Sequence, residues 1–473
     1  MAPSSMTVDV AVIGAGTAGM NAYSTLRRAG ARAVLIDQGP LGTTCARVGC
    51  MPSKAVLHAA QRWDGLRQLM PAGMPQAQWR AALPKGYATP QQLWQEALQI
   101  RDQLVQGNVR QLHALADSDL LQTGARFAAP DLLELGDGRR VQARAFVVAT
   151  GSEARKPAQL QEQLGAALIT TDELFALHDL PHSVAVWGMG AIGLEMGVAL
   201  SRLGVQVVAT GRNPVLAKIA DPEVAKAAQT YFAHQMPMAL GCRDVLAERR
   251  GDMVRFEAGA LKADVQYVLV TQGRSPRLAD LALDQAGVRF DAQGRPLWDR
   301  ASLRCLDSRV FLAGDATGER PLMHEAAQEG TIAAQQALRA VGDARWQDLP
   351  VRGRSVPLSI VFSAPDVAEV GLRFSELPPE AVVVTARGAG NGRSKIMQAP
   401  EHVLRLYADP ASRQLLGASL LCAGGEHLAH LLAWAIQRAD TVEQLLALPY
   451  YHPTVEEMLD NALRDLRKQL RAA

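Results

Sequence analysis

The sequence predicts an α/β protein with two Rossmann-like strand–turn–helix units and an α+β C-terminal domain, and three observations predict it. A short apolar strand near the N-terminus runs into a glycine-rich turn and then a helical pattern. The same succession recurs from Val184. From about Val351 the texture changes to short alternating strands closed by helices. Two complete fingerprints in one chain call for two dinucleotides, which is far more specific than either fingerprint alone.

At 473 residues the chain exceeds what one hydrophobic core can organise and should hold two to four domains. Forty-nine basic against forty-seven acidic residues leave a formal charge of +2, with no block of like charge to draw nucleic acid or a membrane surface. No apolar run is long enough to span a bilayer. Met1 to Thr7 is short and uncharged and a strand follows at once, which leaves no room for a signal peptide, so a cytoplasmic location is expected. Five cysteines in such a chain do not make a disulfide scaffold; in a reducing compartment any bridge would be a working one.

Asp9 to Ile13 is the first strand, and Gly14-Ala15-Gly16-Thr17-Ala18-Gly19 the turn that opens a helix ending near Gly30. Gly14 permits the turn, Gly16 lets a pyrophosphate approach the helix N-terminus, and Gly19 allows close packing of helix on strand. A second strand, Ala33 to Ile36, ends in Asp37, at the distance where an acid accepts ribose hydroxyls.

Next comes Gly42-Thr43-Thr44-Cys45-Ala46-Arg47-Val48-Gly49-Cys50-Met51-Pro52-Ser53-Lys54. Across an ideal helix the Cα atoms of Cys45 and Cys50 would stand roughly 8–9 Å apart, beyond the reach of a disulfide. A bridge needs distorted backbone, which Gly49 can supply. The plain alternative is a pair of unrelated buried thiols. Position favours a redox pair, because the thiols follow directly on a dinucleotide unit.

An apolar helix should follow Lys54, then a Pro- and Gly-rich surface excursion from Pro71 to Pro90. Leu93, Ala97, Ile100, Leu104 and Leu112 repeat at helical spacing and predict a packed stripe. The strand Ala145 to Val148 ends in Ala149-Thr150-Gly151-Ser152, after which polar residues suggest a crossing between domains.

The second unit places Gly188-Met189-Gly190-Ala191-Ile192-Gly193 after the strand Val184 to Trp187, with a helix through Leu200 and a strand from Val205 to Val208. Where a ribose-binding acid is expected the chain has Ala209-Thr210-Gly211-Arg212. Loss of the acid removes repulsion of a 2′-phosphate and Arg212 would attract one, which tilts toward NADP; a solvated Arg212 beside bound NAD is the alternative. Tyr267 to Val270 is another strand, ending in a turn through Gly273. Val310 to Leu312 leads into Ala313-Gly314-Asp315, where Asp315 can accept from a polyol or cap the following segment.

Strands are expected at Leu358 to Phe362, Val382 to Thr385, Val403 to Tyr407 and Leu415 to Leu421, then a helix from Glu426 to Gln437. His427 and His430 have a spacing open to metal, but without a supporting cluster buried or interface histidines are expected. In Tyr450-Tyr451-His452-Pro453-Thr454-Val455-Glu456-Glu457, Pro453 suits a first helical turn, and a carboxylate shortly after can hold the His452 ring. Alone, this is a helix start with acids at its positive end.

Taken together, the thiol stretch through Pro52-Ser53-Lys54, both fingerprints, the turns at Ala149-Thr150-Gly151 and Ala313-Gly314-Asp315, and His452-Pro453-Thr454 with Glu457 resemble the class I flavin- and nicotinamide-dependent disulfide reductases, in particular the dihydrolipoamide dehydrogenase-like branch. The resemblance covers essentially the whole chain. It implies an FAD-binding domain over 1–152 and 281–350, an NAD(P)-binding domain over 153–280 and a dimerisation domain over 351–473. It implies FAD contacts at Gly14, Gly16, Gly19, Asp37, Thr44, Thr150, Gly151 and Asp315, with Lys54 beside the flavin and paired with Glu195. Gly188, Gly190, Gly193, Gly273 and Arg212 would serve NAD or NADP. Cys45 would exchange with substrate, Cys50 would face the flavin, and His452, oriented by Glu457, would be the acid–base group, serving the thiols of the other subunit of a homodimer.

The substrate implied is a lipoyl-type or other small dithiol or disulfide, and a 2-oxo acid dehydrogenase complex is the assembly such an enzyme would serve. Thr43 stands where that family usually has a second glycine, and Ala46-Arg47 replaces its usual Leu-Asn. Arg47 either raises the thiolate fraction or points to solvent. The missing acid keeps an NADPH-dependent glutathione-type reductase as the alternative. A mercuric reductase is not expected, because Arg471-Ala472-Ala473 carries no cysteine pair and no metal-binding domain leads the sequence. From another class stands a flavin-bound redox sensor without turnover, against which the set Cys45, Cys50, Lys54, His452 and Glu457 argues.

Overall fold

Val10, Val12 and Leu35 are buried on one face of their sheet while Ala11, Ile13, Val34 and Ile36 are buried on the other, which is why the first strands are continuous apolar runs rather than alternating ones. A computed structural model describes residues 5–70 and 86–472 and divides the chain into two compact units.

The first unit comprises residues 1–52, 99–155 and 274–354. Its seven-stranded sheet has the order Leu120–Leu121, Ala33–Ile36, Ser5–Ile13, Arg140–Val148, Leu132–Leu135, Ala125–Ala129, with Val310–Leu312 also on Arg140–Val148. The strands around Ser5–Ile13 run parallel, with Val10 opposite Ala33 and Ala145. Val310 continues this register opposite Phe146. Helices Thr17–Arg28 and Met323–Val341 share a core with one face of this sheet, through Ala22, Leu26, Ile332 and Leu338. Their contact is so close that a Cβ on Gly330 would lie 2.1 Å from the Ala18 carbonyl oxygen.

The second unit comprises residues 53–98, 156–273 and 355–473. One parallel sheet of five strands has the order Met238–Leu240, Gln206–Gly211, Ser183–Trp187, Tyr267–Val270, Leu168–Ile169. A three-stranded antiparallel sheet, Val245–Arg250, Met253–Ala258 and Leu261–Val265, shares a core with it through Phe256, Val268 and Val270. The C-terminal sheet is antiparallel, in the order Leu358–Val361, Asp366–Gly371, Leu415–Cys422, Val403–Ala408, Val382–Arg387. Helices Gly425–Gln437 and Glu457–Ala472 cover it through Leu428, Leu432, Leu459 and Leu463. The fold is thus α/β, with two dinucleotide-type sheets, the first mixed and the second parallel, and an α+β C-terminal region.

Several boundaries differ from expectation. Pro90 is not part of an excursion but the first residue of the helix Pro90–His113, where its missing N–H costs nothing; residues 71–85 of that expected excursion lie outside the described residues. Leu93, Ala97 and Leu112 are buried on this helix, whereas Ile100 is exposed. The strand Asp366–Gly371 was not anticipated, since its polar residues interrupt the alternation. The final helix starts at Glu457, so Pro453 lies in the turn before it rather than in its first turn. Among the described residues no helix is long and apolar enough to cross a membrane.

Candidate active site

The first fingerprint is built on one tight turn. Gly14 has φ +105, and a Cβ there would lie 2.3 Å from the Ala149 carbonyl oxygen. Gly19 packs on the turn itself, its virtual Cβ 1.7 Å from the Gly14 carbonyl oxygen. At Gly16, the N-cap of the Thr17–Arg28 helix, a Cβ would meet nothing within 4 Å, so there is open space at a helix N-terminus. Asp37 accepts from the Ala15 N–H at 2.6 Å and from the Gly39 N–H at 2.6 Å. Each carboxylate oxygen keeps a lone pair for a ribose hydroxyl.

The other two turns of this unit lie at strand ends of the same sheet. Thr150 donates its hydroxyl to the Arg277 carbonyl at 2.7 Å, and Gly151, with φ +71, has open space around it. Asp315 accepts from the Ser152 hydroxyl at 2.5 Å, with Arg274 Nε 3.7 Å away. Open space at a helix N-terminus, an acid at the ribose distance and a second anchored acid suit a dinucleotide such as FAD.

The thiols belong to the same unit. Cys45 is partly buried in the short helix Thr44–Val48, and Cys50 is exposed as the first residue of the helix Cys50–Gln68. Gly49 breaks the two helices apart, and a Cβ on it would lie 3.1 Å from the Cys45 Cα, so a larger residue would crowd the fold-back on Cys45. Thr43 caps the first helix by accepting the Ala46 N–H at 3.1 Å, and its φ of +27 is a left-handed value that glycine tolerates better. Its neighbour Gly42 is packed against Val105 and Val109. Arg47 Nη1 lies 3.5 Å from the Pro40 carbonyl oxygen, at the surface.

In the second unit Lys54 Nζ lies 2.8 Å from both oxygens of the buried Glu195 and 4.6 Å from the centre of the Phe362 ring. Glu195 also accepts the Phe362 N–H at 3.0 Å. The lysine side chain is thereby held in place by three contacts. The second fingerprint repeats the first: Gly188 has φ +122, Gly190 caps the Ala191–Arg202 helix beside open space, and Gly193 meets the Gly188 carbonyl oxygen at 1.8 Å from its virtual Cβ. The Thr271 hydroxyl donates to that same carbonyl at 2.5 Å, and Gly273, with φ +100, opens the turn after the Tyr267–Val270 strand. Arg212 is exposed just past the Gln206–Gly211 strand, and no described residue forms an ion pair with it.

At the other end of this unit, His452 Nδ1 stands 2.9 Å from Glu457 Oε1, and the Thr454 N–H donates to Glu457 Oε2 at 3.1 Å. The hydrogen bond from His452 holds the Glu457 carboxyl below its ordinary range. His427 and His430 are exposed in this chain rather than buried, and among the described residues no three ligating side chains converge on a metal position.

Sequence reasoning missed Glu329. It is fully buried, accepts the Gly314 N–H at 2.8 Å and Arg354 Nη2 at 2.5 Å, and so fixes the turn carrying Asp315. Burial raises its pKa to about 7. Two acids four residues apart, Glu325 and Glu329, on the buried face of the Met323–Val341 helix were the available signal.

Two glycine-fingerprint turns and a cysteine pair in the unit of the first of them suit a redox enzyme that couples a flavin and a nicotinamide to thiol chemistry. The model of the family described as pyridine nucleotide-disulphide oxidoreductase matches residues 8–330, that of its dimerisation domain matches residues 357–463, and the chain belongs to this family. FAD and NAD(P) are the family's cofactors, and the enzyme is a flavin-dependent disulfide oxidoreductase. The chain is 27% identical to a dihydrolipoyl dehydrogenase of Bacillus subtilis, over 96% of this chain and 98% of that one. It is 28% identical to dihydrolipoyl dehydrogenase 3 of Pseudomonas aeruginosa, over 97% of each. In fold it is similar to the HOCl-induced flavoprotein disulfide reductase RclA of Escherichia coli, with a TM-score of 0.79 at 21% identity over 96% of this chain and 99% of that one.

Proposed function

We propose that the enzyme is dihydrolipoamide dehydrogenase-like, acting on a lipoyl-type or other small dithiol as a cytoplasmic homodimer. FAD lies over 1–152 and 281–350, NAD(P) over 153–280, and residues 351–473 form the interface. The observation that carries the reading is the thiol pair split by Gly49 in the unit that holds the first fingerprint.

Gly14, Gly16, Gly19, Asp37, Thr44, Thr150, Gly151 and Asp315 would hold FAD, and Gly188, Gly190, Gly193, Gly273 and Arg212 the nicotinamide nucleotide. When bound, FAD relays two electrons between nicotinamide and the Cys45–Cys50 couple. The protein's own part is thiol chemistry. In the reducing direction, the Cys45 thiolate attacks a substrate disulfide and releases one thiolate, which takes a proton from His452 of the partner subunit. Cys50 then displaces the second thiol and closes the Cys45–Cys50 disulfide. Oxidation of a dithiol runs these steps backwards, with His452 as base and Glu457 holding the ring. Lys54, paired with Glu195, would be the residue that serves the flavin ring.

Gly211 and Arg212 favour a second reading, an NADPH-dependent reductase of glutathione or another small disulfide. Steady-state rates with lipoamide and with glutathione disulfide, each with NADH and NADPH, separate the two: the first reading expects lipoamide turnover, and turnover of glutathione disulfide alone contradicts it. Co-purification with a 2-oxo acid dehydrogenase complex would tie the activity to that assembly.

A further inference from the structure

Behind the His452 turn lies a buried polar chain that none of the chemistry above uses. Asn391, Ser394 and His402 are each 1% exposed or less. The Ala423 N–H donates to His402 Nε2 at 3.1 Å, which fixes the proton on Nδ1. That N–H donates to Ser394 Oγ at 2.9 Å, and the Ser394 hydroxyl in turn donates to Asn391 Oδ1 at 3.0 Å. The Ser394 N–H also donates to Oδ1, at 2.8 Å, so the amide is oriented with its Nδ2 outward. Nδ2 donates to the Thr454 carbonyl at 3.0 Å.

The direction of every link follows from the first. A histidine that donates to its serine is no base for it, so this is not a nucleophile; it is an anchor. What it anchors is the Thr454 carbonyl; the N–H of the same residue holds Glu457, whose other oxygen holds His452. Burial pushes the His402 pKa down to about 4, so the chain keeps one polarity across the working pH range. Gly388 completes the cage: a Cβ there would lie 2.9 Å from the His402 Cβ and 3.2 Å from the Ser394 Cβ.

We propose that Asn391, oriented by Ser394 and His402, is a positioning residue that sets the His452–Glu457 pair through the Thr454 peptide. The inference rests on His452 being the acid–base group. A displaced acid–base group loses rate steeply, since reacting atoms must be aligned within a fraction of an ångström.

The test uses the full-length, FAD-loaded enzyme. Asn391→Asp keeps the Oδ1 acceptor and the helix cap but replaces the Nδ2 donor with a second acceptor facing the Thr454 carbonyl. Its kcat with a disulfide substrate should fall about 10-fold, and the limb of the pH–kcat profile set by His452 should shift. Flavin reduction by the nicotinamide without disulfide should stay at the wild-type rate. Should this variant fail to fold, Ser394→Ala carries the test, with a fall of about threefold and the same displaced limb.

His452→Gln separates the failures. If it lowers disulfide turnover by about 100-fold or more while Asn391→Asp and Ser394→Ala keep wild-type kcat and pH profile, the positioning role is overturned and the acid–base assignment stands. If His452→Gln turns over like wild type, that assignment fails and the inference falls with it. Equal slowing of flavin reduction and disulfide turnover in the Asn391 and Ser394 variants, with an unmoved pH limb, marks a merely structural role and also overturns it.

Discussion

The two glycine fingerprints share their turn contacts and differ at their polar end. Gly14 and Gly188 both have strongly positive φ, and Gly19 and Gly193 each pack on the carbonyl of their own turn. The Gly14 N–H donates to the Ile36 carbonyl as the Gly188 N–H does to that of Thr210. This pairing aligns Asp37 with Gly211. In the first unit the acid is tied to the Ala15 N–H; in the second, Gly211 lies against Met189 with 3.2 Å between its virtual Cβ and the Met189 nitrogen. On the proposed reading, turn geometry is what the two dinucleotide sites share, and one side chain at the next strand's end is what would select the ribose. That side chain is absent from the second site, and an exposed arginine follows.

The largest effects should come from breaking what the two turns share. Gly19→Ala and Gly193→Ala each drive a methyl into a carbonyl, which should cost about 3 kcal/mol or more in the unit concerned. Gly19→Ala should purify without flavin. Gly193→Ala should retain flavin, reducible by dithionite but not by NADH or NADPH; flavin absorbance before and after each reductant reads both. Next comes the feature the turns do not share. Asp37→Ala removes two charge-assisted hydrogen bonds, worth about 2–4 kcal/mol together, and should weaken FAD retention about 30-fold or more in a dialysis assay. The smallest effect lies at the vacant acid position. Arg212→Ala should raise KM for NADPH about 10-fold with little change for NADH, a difference of about 1.4 kcal/mol. Gly211→Asp should favour NADH further. Equal KM changes for both nucleotides would remove Arg212 from the contrast.

The backbone side of this contrast was legible in the sequence because glycine spacing reports turn geometry directly: Gly14, Gly16, Gly19 and their later counterparts lie where the pattern demands. The break between Cys45 and Cys50 was legible for the same reason, through Gly49. What escaped was held by long-range contacts. Glu329 depends on a partner at Arg354 and a turn at Gly314, and the chain from His402 to Thr454 spans more than fifty residues. No local pattern marks either. The strand Asp366–Gly371 escaped because Asp366 and Glu369 interrupt its apolar residues, and the late helix start escaped because Pro453 imitates a first turn.

The proposed mechanism requires Cys50 to face the bound flavin as a thiolate. Anaerobic addition of NADPH or dithionite to the FAD-loaded enzyme, followed by absorbance, tests it most directly. Wild type should develop a long-wavelength thiolate-to-flavin band, Cys45→Ser should show it before any reductant is added, and Cys50→Ser should not show it at all. A flavin-loaded enzyme that never develops the band, or a Cys50→Ser variant that keeps it, contradicts the account.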